Sequence, residues 1–286
     1  MNEVLQLLYA GSLDRLLAED LLPQFEAVTG YPSQGRAGGS REWARALRGG
    51  EAQADVFLSA DAQVNEIELM GEANGRLVEW YLTFAANEMV IAHTRNEPAL
   101  RLIAAALAGI SSRSPFVKLL RSGLRLCRTD PETDPKGYRA IQAIELLSRH
   151  LQVPDLVRDV LGEPRNPEQL IAPAEMMGAI ARGDYDLGLT YRSQAVESGL
   201  PFIVLPDPVD LGSPACADAY AQVAYRCADG AVYPGAPITY TAAMLTTARR
   251  PLAAAAFLTF LASGQAAPLY EKHGFRPIAS SVRGRG

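Results

Sequence analysis

Apolar positions along this chain follow two spacings that take turns. Leu5-Gln6-Leu7-Leu8-Tyr9-Ala10 is a short run of strand type, and it stops at Gly11. Leu13, Leu16, Leu17, Leu21, Leu22 and Phe25 then recur at helical spacing, until Thr29-Gly30-Tyr31-Pro32 breaks the pattern. A short strand leads into Arg36-Ala37-Gly38-Gly39-Ser40, a helix covers Arg41 to Arg48, and Gly49-Gly50 stops it. Ala54 to Asp61 is the next strand, again followed by a helix. This alternation predicts an α/β fold with a parallel sheet and helices on its faces.

Further on, Trp80 to Thr94 is a long apolar strand region broken at Ala85-Ala86-Asn87-Glu88. Leu102 to Ile110 is helical. Leu124 to Cys127 is a strand that runs into Thr129-Asp130-Pro131-Glu132-Thr133-Asp134-Pro135, where two Asp-Pro pairs make a rigid turn. A helix from about Tyr138 to His150 follows, then a Pro-rich, charged loop over 152–170 with one short helix. Pro173 and Glu175 suit the first turn of a helix that ends at Arg182-Gly183. Tyr185 to Tyr191, Phe202 to Leu205, Gln222 to Cys227 and Pro237 to Leu245 read as strands, and Gly230 to Gly235 as a turn. Pro251 to Ala262 and Gly264 to Glu271 are helices, Gly274 to Pro277 is a final turn, and Ser280 to Gly286 is a loose tail. Long strand regions flank a self-contained α/β segment. They predict crossings near 82–86 and 191–195, with lobe one made of 1–83 and 193–286, lobe two of 84–192, and a ligand cleft between them.

A chain of 286 residues is long for one core and fits two lobes. No apolar run reaches the length of a membrane span. The formal net charge of −5 argues against a nucleic-acid partner. No basic segment with an apolar core precedes the first strand, so no signal peptide is expected here. The chain is then cytoplasmic or a mature exported form. Cys127 reads as a core thiol, whereas Cys216 and Cys227 either pair in an oxidising compartment or stay reduced. His93, His150 and His273 lack metal-ligand spacing and read as structural. No phosphate-loop lysine follows Gly38-Gly39-Ser40, no Gly-x-Gly-x-x-Gly follows the first strand, and no Ser–His–Asp arrangement is legible, so catalysis is not expected.

The candidate chemistry lies at the strand-to-helix turns. Ser12 and Ser40 each open a helix after a small-residue turn, and the plain reading of both is an N-cap. The functional reading is an anion held by hydroxyls and free backbone N–H groups at the carboxyl ends of strands.

One set of segments goes further: Tyr9-Ala10-Gly11-Ser12-Leu13, Gly39-Ser40, Ala54-Asp55-Val56, Asp134-Pro135-Lys136-Gly137-Tyr138-Arg139, Ile171-Ala172-Pro173-Ala174-Glu175 and Leu189-Thr190-Tyr191-Arg192-Ser193. Val209-Asp210-Leu211-Gly212-Ser213-Pro214 and Gly235-Ala236-Pro237-Ile238-Thr239-Tyr240 complete it. In this order and spacing the chain resembles the substrate-binding proteins of molybdate and tungstate ABC importers. The resemblance covers nearly the whole chain and implies a two-lobed periplasmic-binding-protein clamp of type II, each lobe a mainly parallel sheet flanked by helices. It implies a tetrahedral oxyanion held by Gly11, Ser12, Ser40, Asp134, Pro135, Lys136, Glu175 and Tyr191. Asp134 and Glu175 would approach the molybdenum or tungsten itself, as in the tungstate-type subgroup. Lys136 stands where that family usually has a small or neutral residue. The resemblance further implies a periplasmic or extracellular monomer, with a lipid anchor as one option, no cofactor, and a membrane permease as partner. Two other readings stay open: a receptor for sulfate, phosphate or a small carboxylate, and the effector-sensing part of a regulator.

Overall fold

The computed structural model describes residues 4–107 and 115–284. Its strands are β1 (Leu5–Ala10), β2 (Ser33–Gly38), β3 (Val56–Ser59), β4 (Trp80–Ala86), β5 (Met89–His93), β6 (Leu126–Cys127), β7 (Leu187–Tyr191), β8 (Phe202–Val204), β9 (Ala224–Arg226), β10 (Val232–Pro234), β11 (Thr239–Met244) and β12 (Arg276–Gly284). The chain separates into two compact units. The first holds the chain up to Asn87, the short stretch Thr133–Pro135, and everything from Ile238 on; the second holds Glu88–Glu132 and Lys136–Pro237.

In the first unit six strands make one sheet in the order β12-β4-β11-β3-β1-β2. β1 is covered on both faces, so its sequence is an almost unbroken apolar run rather than an alternation. The helix after it opens into i→i+5 bonding over Leu16–Leu21 before closing as an α-helix at Leu22–Thr29. Phe25 of that helix packs edge-on against Phe257, with ring centroids 5.1 Å apart, and against Phe260 at 5.9 Å. These aromatic contacts join the N-terminal helix to Pro251–Leu261 in one core.

A carboxylate ties the same region to the next helix. Asp20 accepts hydrogen bonds from Lys272 Nζ at 2.7 Å and from His273 Nε2 at 2.6 Å. The bond from Lys272, then that from His273, holds the Asp20 carboxyl below the usual carboxylate range. Such a depressed group adds stability that is complete above its unfolded value, about 3.9, and is lost as the pH falls through its folded value. Asp20→Asn should therefore melt below the wild type at pH 7, and the gap should close in melts recorded below about pH 4. A gap of constant width would show that Asp20 contributes nothing through its charge.

In the second unit β6-β7-β5-β8 form a four-stranded sheet, and β9 and β10 form a separate hairpin. Val90, Ala92, Cys127, Met176, Ile180 and Ala195 make one apolar cluster across this sheet and its helices. Burial pushes the Cys127 thiol up to about 12, so it stays protonated as a core residue. Arg128 is fully buried; it donates to Gln169 Oε1 at 3.0 Å, Pro164 O at 2.7 Å and Glu163 O at 2.9 Å, fastening the loop before the Met176–Arg182 helix. None of the three cysteines is in a disulfide, Cys216 being half-buried and the other two buried, so Cys216 and Cys227 do not pair.

Several expectations change here. The return to the first unit was placed at 193, yet the chain stays in the second unit through Pro237. Tyr191 does end a strand, but the Arg192–Glu197 helix turns the chain back, and β8 then pairs with β5, Val204 opposite Val90. The return comes at Ile238, whose carbonyl accepts the Asn87 N–H at 3.2 Å. The first crossing, expected near 82–86 with the lobe boundary at 83, falls after Asn87. The sheets are mixed rather than mainly parallel. β1–β2, β1–β3 and β6–β7 are parallel, whereas β11 enters antiparallel between β3 and β4. Of the tail read as loose, residues 285–286 lie outside the described residues, and residues 280–284 belong to β12, an exposed edge strand on β4 with Val282 opposite Leu82. Its backbone bonds hold it without an apolar face, and that is why no alternation marks it. β10 occupies the stretch read as a turn over 230–235. The helix expected over Leu102 to Ile110 is seen as Glu97–Leu107; residues 108–110 lie outside the described residues.

Candidate functional site

In the first unit, chain direction gathers the candidate donors on one edge. β1 and β2 run parallel with Ala10 opposite Gly38, so Gly11-Ser12 and Gly39-Ser40 leave the sheet side by side. β3 ends at the same edge, with Leu58 opposite Tyr9. Both serines are buried, Ser40 completely and Ser12 at 7% exposure.

Neither serine is the N-cap that the sequence suggested. The turn Gly11–Leu13 and the helix Ser40–Arg48 both begin without a side-chain cap bond. Asp61, by contrast, does cap the next helix, accepting from Gln63 N at 2.9 Å. Ser40 is the first helical residue, not the cap, and its Oγ accepts the Ala60 N–H at 3.1 Å. A hydroxyl that accepts there still carries its own proton for donation elsewhere. Ser12 Oγ lies 2.8 Å from the hydroxyl of Tyr240, a fully buried residue of β11. Phe275, packed edge-on at 5.1 Å, and Phe84 at 6.3 Å hold the Tyr240 ring in place.

Asp134 and Pro135 join this edge through the backbone before them. Glu42 N donates to Thr133 O at 3.4 Å. An added Cβ on Gly39 would lie 2.4 Å from the same carbonyl, so only glycine lets Thr133–Pro135 lie against the Ser40 turn. Asp134 is buried and immediately precedes Pro135, the first residue of the helix Pro135–His150.

The second unit builds its own cluster around that helix and the end of β7. Lys136 is buried and donates from Nζ to Gln194 Oε1 at 2.7 Å, and Thr190 Oγ1 donates to the same oxygen at 3.1 Å. Arg139 is buried as well, and its Nη1 donates to the Tyr191 hydroxyl at 3.0 Å. The β9–β10 hairpin braces the start of the helix. Tyr138 stacks on Tyr233 at 4.8 Å and on Tyr225 at 6.2 Å. Glu132 accepts from the Tyr225 hydroxyl at 2.7 Å and from Ala228 N at 3.1 Å. Burial, and then the bond to Glu132, raises the Tyr225 pKa, so this phenol remains a donor at neutral pH.

Glu175 enters neither of these sets of contacts. It is exposed, it precedes a helix of only seven residues, and its carboxylate makes no hydrogen bond or ion pair among the described residues. Sequence reasoning missed Tyr240, Arg139 and Gln194 as members of these clusters. Tyr240 and Arg139 stood in stretches already singled out, but their partners are 228 and 52 residues away. No local spacing reports such a pairing. Among the described residues, no group of His, Cys, Asp and Glu side chains could hold a metal ion, and no helix is long and apolar enough to cross a membrane.

The family profile described as bacterial extracellular solute-binding protein matches residues 5–276. A Haloferax volcanii protein, provisionally described as an ABC transporter molybdenum-binding protein, is 33% identical over 96% of this chain and 82% of its own length. A Halobacterium salinarum solute-binding protein is 28% identical over 91% of this chain and 80% of its own. Among solved structures, the Azotobacter vinelandii periplasmic molybdate-binding protein aligns with a TM-score of 0.64 at 18% identity, covering 95% of this chain and 98% of that one. The Mycobacterium tuberculosis sulfate-binding protein SubI aligns at 0.62 with 16% identity, covering 96% and 87%. The fold is thus the two-lobed periplasmic-binding-protein fold, with mixed sheets flanked by helices.

Proposed function

The chain belongs to the bacterial extracellular solute-binding proteins, and on that premise we propose that its solute is a tetrahedral oxyanion, molybdate or tungstate. In this reading it acts outside the cytoplasm as a monomer and delivers the ion to the permease of an ABC importer. The observation that carries the proposal is the pair of buried serines at the in-register ends of β1 and β2. Their hydroxyls do not cap the helices they open. With the N–H groups at the starts of those helices they supply donors for an oxyanion without a net positive side chain. The descriptions of the Haloferax relative and of the Azotobacter structure name molybdenum and molybdate, and both support this choice. The likeness to a sulfate-binding protein supports an oxyanion without choosing among them.

The proposed oxyanion-binding residues are Gly11, Ser12, Ser40, Asp134, Pro135, Lys136 and Tyr191; Pro135 has no N–H to donate and serves by shaping the turn. Glu175, exposed in this structure, is the weakest member of the set. The carboxylates carry the proposed selectivity. Sulfur in sulfate takes no further ligand, so a nearby carboxylate only repels it. Molybdenum and tungsten accept additional oxygen ligands, and the same carboxylate then attracts.

Calorimetric titration with molybdate, tungstate, sulfate and phosphate tests the reading, with tight binding expected for the first two only. Asp134→Asn should weaken tungstate binding roughly tenfold or more, about 1.4 kcal/mol per factor of ten. It should leave sulfate binding unchanged or improve it, because a repulsive charge is gone. Unaltered tungstate affinity in this variant would return Asp134 to a turn residue. Sulfate binding as tight as molybdate binding in the wild type would remove the selectivity argument altogether.

A further inference from the structure

We infer that Arg139 is a positioning residue for oxyanion binding: its guanidinium fixes the Tyr191 hydroxyl as a donor to the bound ion. The inference rests on the proposed role of Tyr191 as an oxyanion ligand. A guanidinium has only donors, whereas a phenol oxygen both accepts and donates. The Arg139 Nη1 bond to the Tyr191 oxygen, 3.0 Å long, therefore makes the tyrosine the acceptor on that side. The phenol proton must then point to some other acceptor. Because the donor is charged, the bond is of the stronger, charge-assisted kind, and it polarises the O–H that continues the chain. Arginine keeps its proton at every working pH, so this orientation does not depend on titration.

The surroundings hold both groups still. Arg139 is 2% exposed and Tyr191 fully buried. The tyrosine backbone is paired in the sheet with Met89, and the guanidinium lies 6.0 Å from the centre of the phenol ring. Arg139 is the fifth residue of the Pro135–His150 helix. The rotation of that helix is set by the Tyr138 stack on Tyr233 and Tyr225, and by Gln142 Nε2 donating to Tyr233 O at 2.8 Å. The neighbouring cation, Lys136, goes instead to Gln194.

The test is a double-mutant cycle read by titration with molybdate. Tyr191→Phe alone examines the underlying reading. If it leaves molybdate affinity unchanged, Tyr191 is no ligand and the inference falls with it. If Tyr191→Phe weakens binding, Arg139→Gln decides the inference itself. It should cost about tenfold or more in the wild-type background and no more than about threefold in the Tyr191→Phe background. Equal losses in both backgrounds would mean that Arg139 acts as packing or as a general positive charge, and would overturn the inference. Arg139→Lys keeps the charge but loses the planar fork. It should recover less than half of the lost factor, and full recovery would equally overturn the inference. The lysine variant also carries the cycle should Arg139→Gln fail to fold.

Discussion

Ser12→Ala combined with Ser40→Ala should lower molybdate affinity by about a hundredfold or more. Each hydroxyl offers one hydrogen bond to a charged partner, on the order of 1.5–3 kcal/mol, and 1.4 kcal/mol is a factor of ten. The two changes should differ in stability. Ser40→Ala removes the buried hydrogen bond from the Ala60 N–H, at a cost of about 0.5–1.5 kcal/mol. Ser12→Ala takes a partner from Tyr240, whose hydroxyl also lies within 3.4 Å of Asn87 Nδ2. The Ser40 variant should therefore melt lower than the Ser12 variant, while both remain folded by circular dichroism. A double variant that binds molybdate within threefold of the wild type would show that the serines serve the fold alone.

The second large effect is expected at Gly137. A Cβ there would lie 2.6 Å from Asp130 C, Pro131 N and Thr129 O, all of them backbone atoms. No rotamer change relieves such a contact, so the loop entering the helix must move as a whole. Gly137→Ala should cost stability at the upper end of the ~1–3 kcal/mol typical of overpacking. It should also weaken oxyanion binding, because the displaced loop leads into Asp134 and Pro135. Gly264→Ala is the matched control: nothing lies within 4 Å of its added Cβ, and its melting temperature should stay that of the wild type. Equal melting temperatures for the two variants would mean that the Thr129–Pro131 backbone gives way at little cost.

What the sequence made legible, and what it hid, follows from the range of the interactions. β1, its turn and the helix behind it were readable because a run such as Leu5–Ala10 is dictated by burial on both faces. The Gly39-Ser40 turn was readable for the same local reason, but what the serine does there was not. Its hydroxyl answers to Ala60, a partner that tertiary structure alone brings near. The second crossing was misplaced because Tyr191 and Pro234 both end strands, and nothing local says which strand end changes units. β12 carried no pattern at all, since an exposed edge strand needs backbone partners and no apolar face. Arg139 reads locally as one more charge on a helix. Its burial and its bond to Tyr191 come from tertiary structure, which no local spacing reports.

The strand order also bears on the sequence of events by which the chain finds its fold. β3 and β4 do not touch each other within the sheet; β11 lies between them and supplies the ladder to both. A nascent chain that has not yet reached Thr239 thus holds the flanks of the first sheet without its middle. The four strands of the second sheet, by contrast, are all available once Val204 has emerged. The cost of closing a flexible loop grows only with the logarithm of its length, yet it must be met before β11 gains any contact. In the finished fold Asn87 N donates to Ile238 O, across the whole of that length. In the folded chain the two ends of the intervening segment stand a hydrogen bond apart, so an insert that orders first would leave the late strand little loop entropy to lose.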